Sequence, residues 1–328
     1  MFRRIASLAT AAVATLGGAL PVPVLAQSWP SKPIRIIAPS SPGGPTDLAT
    51  RLISARVNAD LKQALVVDNR PGAGGMIGPR AAAQAAPDGY TFVMGNPGPV
   101  AVVPHTEKEV GYDIVNDFEG VSNVMAVPIV LIARADVPVS SVADLVALMK
   151  RDPKAIAFGS SGVGQSPHMA AEYFQKSIGV DFLISPYRGA PPAVNDLLGG
   201  AIQAMFDTTT GLPHVKAGKL KALAIGSARR STLMPDLPTM AELGYPGFEI
   251  TSWYVLLAPA KTPKDIIARM NKVVVDTLNQ PETRHQLAAI NAEATPSTPE
   301  ETQAFVKAQL DNWGNIVRRI RGRSVQDK

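Results

Sequence analysis

The chain has 328 residues, 46% hydrophobic and 18% charged, a globular composition with length enough for two domains. It has no cysteine, which excludes disulfides, thiolate metal sites, cysteine nucleophiles and a lipid-modified N-terminal cysteine. Its net charge of +5 is scattered and its aromatics amount to 5%, so it lacks the clustered basic face with interleaved aromatics that nucleic-acid binding uses.

Residues 1–26 read as a cleaved secretory signal, which predicts export to the periplasm. Arg3 and Arg4 form a positive start, an apolar stretch follows, and Val24-Leu25-Ala26 places small residues before Gln27. Gly17, Gly18, Pro21 and Pro23 interrupt the stretch, against its serving as a membrane anchor. The longest later apolar run, residues 124–133, contains Pro128 and suits a buried strand better than a membrane span.

From there, short β-branched runs alternate with longer amphipathic stretches. Strands are predicted at 34–39, 65–68, 91–94, 127–133, 155–159, 182–186, 201–206, 220–225 and 253–258. Helices are predicted to start near Pro45, Gly74, Ser141, Pro167, Pro191, Thr262 and Thr298. Ser141-Val142-Ala143-Asp144 has the spacing of a capping box, and Thr262-Pro263 and Thr298-Pro299 each pair a cap with a first-turn proline. Such alternation predicts an α/β fold with parallel or mixed sheets and helices on both faces. No Pro/Gly/Ser-rich hinge cuts the chain once, so a two-lobed arrangement must cross between lobes at least twice. The expected division is residues 27–125 with 252–328 in one lobe and 126–251 in the other.

Two strand ends run through small residues into a helix. One is Ser40-Ser41-Pro42-Gly43-Gly44-Pro45-Thr46-Asp47; the other is Ser160-Ser161-Gly162-Val163-Gly164-Gln165-Ser166-Pro167-His168. A helix start carries unpaired N–H groups and a partial positive charge, and glycine lets a ligand approach the backbone. Two such loops facing each other would hold an organic anion without a salt bridge. Taken singly, each is also an ordinary strand-to-helix turn.

Other chemistries find little support. Gly72-Ala73-Gly74-Gly75-Met76-Ile77-Gly78 is one residue too long for a dinucleotide fingerprint, and no P-loop is present. The four histidines show no zinc spacing, and no Gly-x-Ser-x-Gly elbow occurs, so neither metal nor cofactor is expected. A hydrolytic Ser160–His168–Asp207 assembly can be drawn, although His168 falls where a helix start would use it to cap or pack. Asp207 reads either as a helix cap or as a group holding a ligand amine or a water.

An ordered series of segments resembles the Bug-type extracytoplasmic solute receptors, the binding proteins of tripartite tricarboxylate transporters. It runs through Trp29-Pro30-Ser31-Lys32-Pro33, Pro42-Gly43-Gly44-Pro45-Thr46-Asp47, Asn69-Arg70-Pro71-Gly72-Ala73-Gly74-Gly75 and Ala86-Pro87-Asp88-Gly89-Tyr90. Pro186-Tyr187-Arg188-Gly189-Ala190, Asp196-Leu197-Leu198-Gly199-Gly200, Met205-Phe206-Asp207 and Pro235-Asp236-Leu237-Pro238-Thr239 continue it. The resemblance implies a type II periplasmic-binding-protein-like fold, two lobes with mixed sheets around a central ligand cleft, and no catalysis. It implies a small carboxylate held by Ser41, Gly43, Gly44 and Asp47 from one lobe and Ser160, Ser161, Gly162, Gly164 and His168 from the other. Asn96, Gly189, Ala190 and Asp207 would complete the pocket. Val163 stands where the family often has a polar residue, which favours a less polar or aromatic carboxylate. The expected partner is a membrane permease reading the closed monomer; a hydrolase, or a receptor presenting its ligand to a sensor kinase, are the alternative readings.

Overall fold

A computed structural model describes residues 29–321; the expected signal, residues 1–26, lies outside the described residues. The chain begins β1 (Ile34–Ala38), α1 (Pro45–Leu61), β2 (Leu65–Asn69), α2 (Ile77–Ala83) and β3 (Thr91–Gly95). A π-turn (Gly98–Val102) leads into α3 (Val103–Thr106) and the long β4 (Phe118–Pro128). There follow β5 (Val130–Arg134), α4 (Val142–Arg151), β6 (Phe158–Ser160), α5 (Ser166–Ile178), β7 (Ile184–Pro186), α6 (Ala190–Gly199), β8 (Ala204–Asp207), α7 (Leu212–Lys216) and β9 (Leu220–Ile225). The last third is β10 (Thr251–Pro259), α8 (Lys264–Leu278), α9 (Pro281–Ala289), β11 (Glu293–Ala294) and α10 (Pro299–Arg321).

The strands form two mixed sheets, one of six strands in the order β11-β4-β10-β3-β1-β2 and one of five in the order β7-β6-β8-β5-β9. In the first, β1 lies parallel between β2 and β3, while β10 is antiparallel to both β3 and β4. In the second, β6 is parallel to β7 and β8, and β5 is antiparallel to β8 and β9. The architecture is a mixed α/β fold built on two sheets.

The chain changes sheets twice, side by side. It leaves the first sheet at Pro128 and enters the second at Val130; it returns between Ile225 and Thr251. Gly226 N–H donates to Ile129 O (2.7 Å), and Ile250 N–H donates to Gly226 O (2.8 Å), which ties the two crossings together. A Cβ on Gly226 would lie 3.0 Å from Ile250 O, so glycine suits this close approach. Residues 126–128, grouped with the second lobe in the sequence reading, pair with Trp253, Ser252 and Thr251 in the first sheet. The apolar run is buried on either side of the change, so hydrophobicity does not mark the point where it occurs.

Where caps are explicit, the helix starts follow the sequence. Ser141 Oγ accepts Asp144 N–H (3.1 Å), and Thr298 and Glu301 exchange backbone and side-chain bonds as a complete capping box. Thr262 departs from expectation: its hydroxyl donates to Pro259 O (2.7 Å), and α8 begins two residues later. Helix α10 runs to Arg321, whose guanidinium reaches Glu172 on α5 (2.8 Å). Uncapped helices α7 and α9 and strand β11 are too short for a clear period and have no counterpart in the sequence reading.

Candidate ligand-binding site

A cavity of about 610 Å³ lies between the lobes. The first lobe supplies Pro39, Ser40, the α1 start (Gly44, Pro45, Thr46), the segment 71–75 and Ile77. The second supplies Ser161, Gly162, Val163, the α5 start (Gln165, Ser166, Pro167) and the segment 186–190 that opens α6. Thr208, Ser252 and Tyr254 complete the lining. Of the thirteen residues expected at the site, Gly44, Ser161, Gly162, Gly189 and Ala190 are on this lining.

Of the others, Ser41 stands at the rim, Gly43 is exposed in the loop before α1, and the buried polar side chains turn away from the cavity. Asp47 Oδ2 accepts Gly43 N–H (2.9 Å) and Arg51 Nε (2.9 Å), and its Oδ1 accepts Asn69 Nδ2 (3.0 Å). Burial pushes this carboxyl up, but the bonds from Arg51, Gly43 and Asn69 together outweigh it and hold it below the usual carboxylate range. Asp47 thus folds the loop around Gly43, which has φ of +76°, instead of facing the cavity. Asn96 works in the same way: Nδ2 donates to Thr46 Oγ1 (3.1 Å) and Oδ1 accepts Gly98 N–H (3.1 Å). Gly164 packs towards Val103, to which a Cβ would come within 3.5 Å.

The Ser160–His168–Asp207 assembly does not form. Ser160 is fully buried, its Oγ meets His168 Nδ1 at 2.9 Å, and His168 Nε2 faces Glu172 at 3.3 Å. Asp207 instead accepts Gly211 N–H (2.7 Å) at the turn before α7. Burial pushes its carboxyl up to about 6, partly opposed by the backbone N–H groups of Gly211 and Thr208. Among the described residues no group of three or more His, Asp and Glu is placed to hold a metal ion.

Two contacts close the cleft at its rim. Ser41 Oγ donates to the Arg188 carbonyl, and Gln165 Nε2 donates to the Gly74 carbonyl (2.7 Å). At the lining, Ser166 Oγ on α5 bonds Ser252 Oγ on β10 (3.1 Å), which bonds Tyr254 Oη (3.2 Å). Ser252 and Tyr254 share a face of β10 by the strand period, a pairing the sequence reading did not use. The 71–75 segment was also missed as cavity wall. Gly72, Ala73, Gly74 and Gly75 have φ of +111°, +47°, +63° and +91°, a backbone that favours glycine at each step, and the sequence supplies it at all but Ala73.

Electrostatically the cavity is prepared for an anion. Helices α1, α5 and α6 all start on it without a side-chain cap; α7, α8 and α9 start elsewhere and lack one too, so what distinguishes the three is that their starts converge on one cavity. No Asp or Glu is on its described lining, and the single charged side chain there is Arg188.

Residues 49–321 match the model of the tripartite tricarboxylate transporter family receptor. The chain is 37% identical to Protein BugT of Bordetella pertussis over 308 residues, covering 93% of this chain and 94% of that one. Among solved structures it is similar to R. palustris Rpa4515 with adipate, at TM-score 0.86 and 33% identity over 89% of this chain and 98% of the other. It is also similar to MatC from Rhodopseudomonas palustris with bound malate, at TM-score 0.83 and 28% identity over 88% and 100%. By sequence along most of its length and by fold, the chain belongs to the tripartite tricarboxylate transporter receptor family.

Proposed function

We propose that this protein captures a small organic carboxylate outside the cytoplasm, closes on it, and presents the closed form to the membrane permease of a tripartite tricarboxylate-type transporter. The observation that carries this reading is the meeting of three helix starts without side-chain caps at one inter-lobe cavity that has no acidic side chain on its described lining. Each such start stabilises an anion by roughly 0.3–1 kcal/mol when exposed and up to about 2 when partly buried. The adipate and malate named for two structural relatives are of the same chemistry. Because both lobes touch one ligand, binding favours the closed form by its differential affinity for the two states. In this reading the protein is monomeric, periplasmic once residues 1–26 are removed, and without catalysis of its own.

Titration calorimetry with a panel of carboxylates and matched neutral amides tests the reading. Heat of binding for at least one acid and none for its amide is expected; binding of the amides alone would overturn it. A loop variant gives a second check. Gly162 has φ of +122°, and a Cβ there would lie 3.1 Å from Tyr187 O. Gly162→Ala therefore strains the cavity loop by about 1–3 kcal/mol. The affinity for the bound acid is expected to fall about ten-fold or more, with the far-UV circular dichroism unchanged.

A further inference from the structure

We infer that the carboxylate this cavity takes is carried on a ring, as in an aryl carboxylate, and that Val163 and Ile77 select it; the inference rests on the carboxylate reading above.

Six large apolar side chains are conspicuously exposed among the described residues, and two of them, Val163 (48%) and Ile77 (42%), line this one cavity. They come from opposite lobes, and both flank the same glycine segment: Ile77 Cδ1 lies 3.2 Å from the Cβ position of Gly72, and Val163 O lies 3.1 Å from that of Gly74. A soluble protein leaves an aliphatic side chain exposed in a closed cleft at a cost of unburied apolar area, which a ligand with an apolar body removes. Tyr187 adds an aromatic ring with little freedom, because its hydroxyl donates to Asp196 Oδ2 (2.7 Å).

Charge weighs against a tricarboxylate, and size admits a ring. Arg188 is the single charged side chain on the described lining, with no side-chain ion pair among the described residues, so a tricarboxylate would bring more negative charge than the side chains can match. A cavity of about 610 Å³ equals roughly twenty water volumes at ~30 Å³ each. That volume admits a ring as readily as an aliphatic chain, and it is the exposed Val163 and Ile77 surfaces that a ring would cover.

The test is a calorimetric series on the full mature chain with benzoate, phenylacetate and cinnamate against malate, adipate and citrate, repeated for Val163→Asn and Ile77→Ser. The expected result is that at least one ring acid binds more tightly than all three aliphatic acids, with a negative heat-capacity change. Each variant should then weaken the ring acid about ten-fold and change any aliphatic affinity by less than two-fold. Thermal melts of the variants, expected within a few degrees of the parent, exclude misfolding as the cause. Tighter binding of an aliphatic acid, or equal losses for both classes in the variants, overturns the inference and leaves the carboxylate reading standing. Binding of neutral amides with no acid bound overturns both.

Discussion

Phe206→Ala is expected to cost about 3–5 kcal/mol of folding stability, the largest loss from any single change considered in the second lobe. Phe206 is fully buried on the central strand β8, stacked on Phe248 with ring centroids 5.5 Å apart. It also meets Phe174 edge-on at 5.9 Å and Phe158 at 6.2 Å. Removing the ring opens a cavity among partners held on β6, on α5 and in the segment between β9 and β10, and the sheet and helix backbones cannot close it. Urea denaturation followed by circular dichroism should show the midpoint falling with an unchanged slope. Phe206→Leu, which keeps most of the volume, should lose well under half as much. Similar losses for the two variants would show that the aromatic cluster does not carry the lobe.

Asp207→Asn next door is expected to change the pH dependence of stability. Burial raises the folded-state carboxyl to about 6 from an ordinary value of 3.8. The folded protein therefore holds this proton more tightly than the unfolded chain. The contribution of the group to stability is fully present below about pH 4 and is lost as pH rises through about 6. Across that window the difference amounts to about 3 kcal/mol at ~1.4 kcal/mol per pH interval of separation. Asparagine keeps an oxygen for the Gly211 N–H and carries no charge at any pH. Relative to the parent, the variant should be more stable at pH 7 and lose that advantage between pH 6 and pH 4. Parallel urea curves at pH 4, 5, 6 and 7 measure the difference, in which the other titrating groups largely cancel. A difference that stays constant over the range would refute the assignment of the raised carboxyl.

Neither prediction follows from the sequence, where Asp207 stands out as a polar strand end and Phe206 is one residue of the strand 201–206. Asp207 was readable as a polar group ending an apolar strand, and its helix-cap and ligand-holding roles were both open. The structure gives it a third role: it closes the turn to Gly211 under full burial, which raises its carboxyl. Asp47, Asn96 and His168 were recognised as polar groups beside the two glycine loops, but sequence spacing does not tell which way a side chain points. All three turn away from the cavity to bond loop or helix neighbours: Asp47 to Gly43, Asn96 to Thr46 and Gly98, His168 to Ser160. Unpaired polar groups inside a protein are costly, so those nearest a loop are satisfied by the loop itself.

The sequence by itself determined the alternation of strands and helices, the capping box at Ser141, the cap at Thr298, and the two small-residue turns that precede α1 and α5. These depend on residues within one or two turns of each other, where propensity and local hydrogen bonds decide. Only the tertiary structure decided where the chain passes from one sheet to the other, because burial on both sides erases the signal. It also decided which groups meet in the cavity. Segment 71–75, Gln165, Arg188, Ser252 and Tyr254 are far apart in the chain and are brought together by strand pairing and lobe closure. A site made by bringing distant surfaces together has no local period or spacing, so its lining is fixed by packing and not by neighbours in sequence.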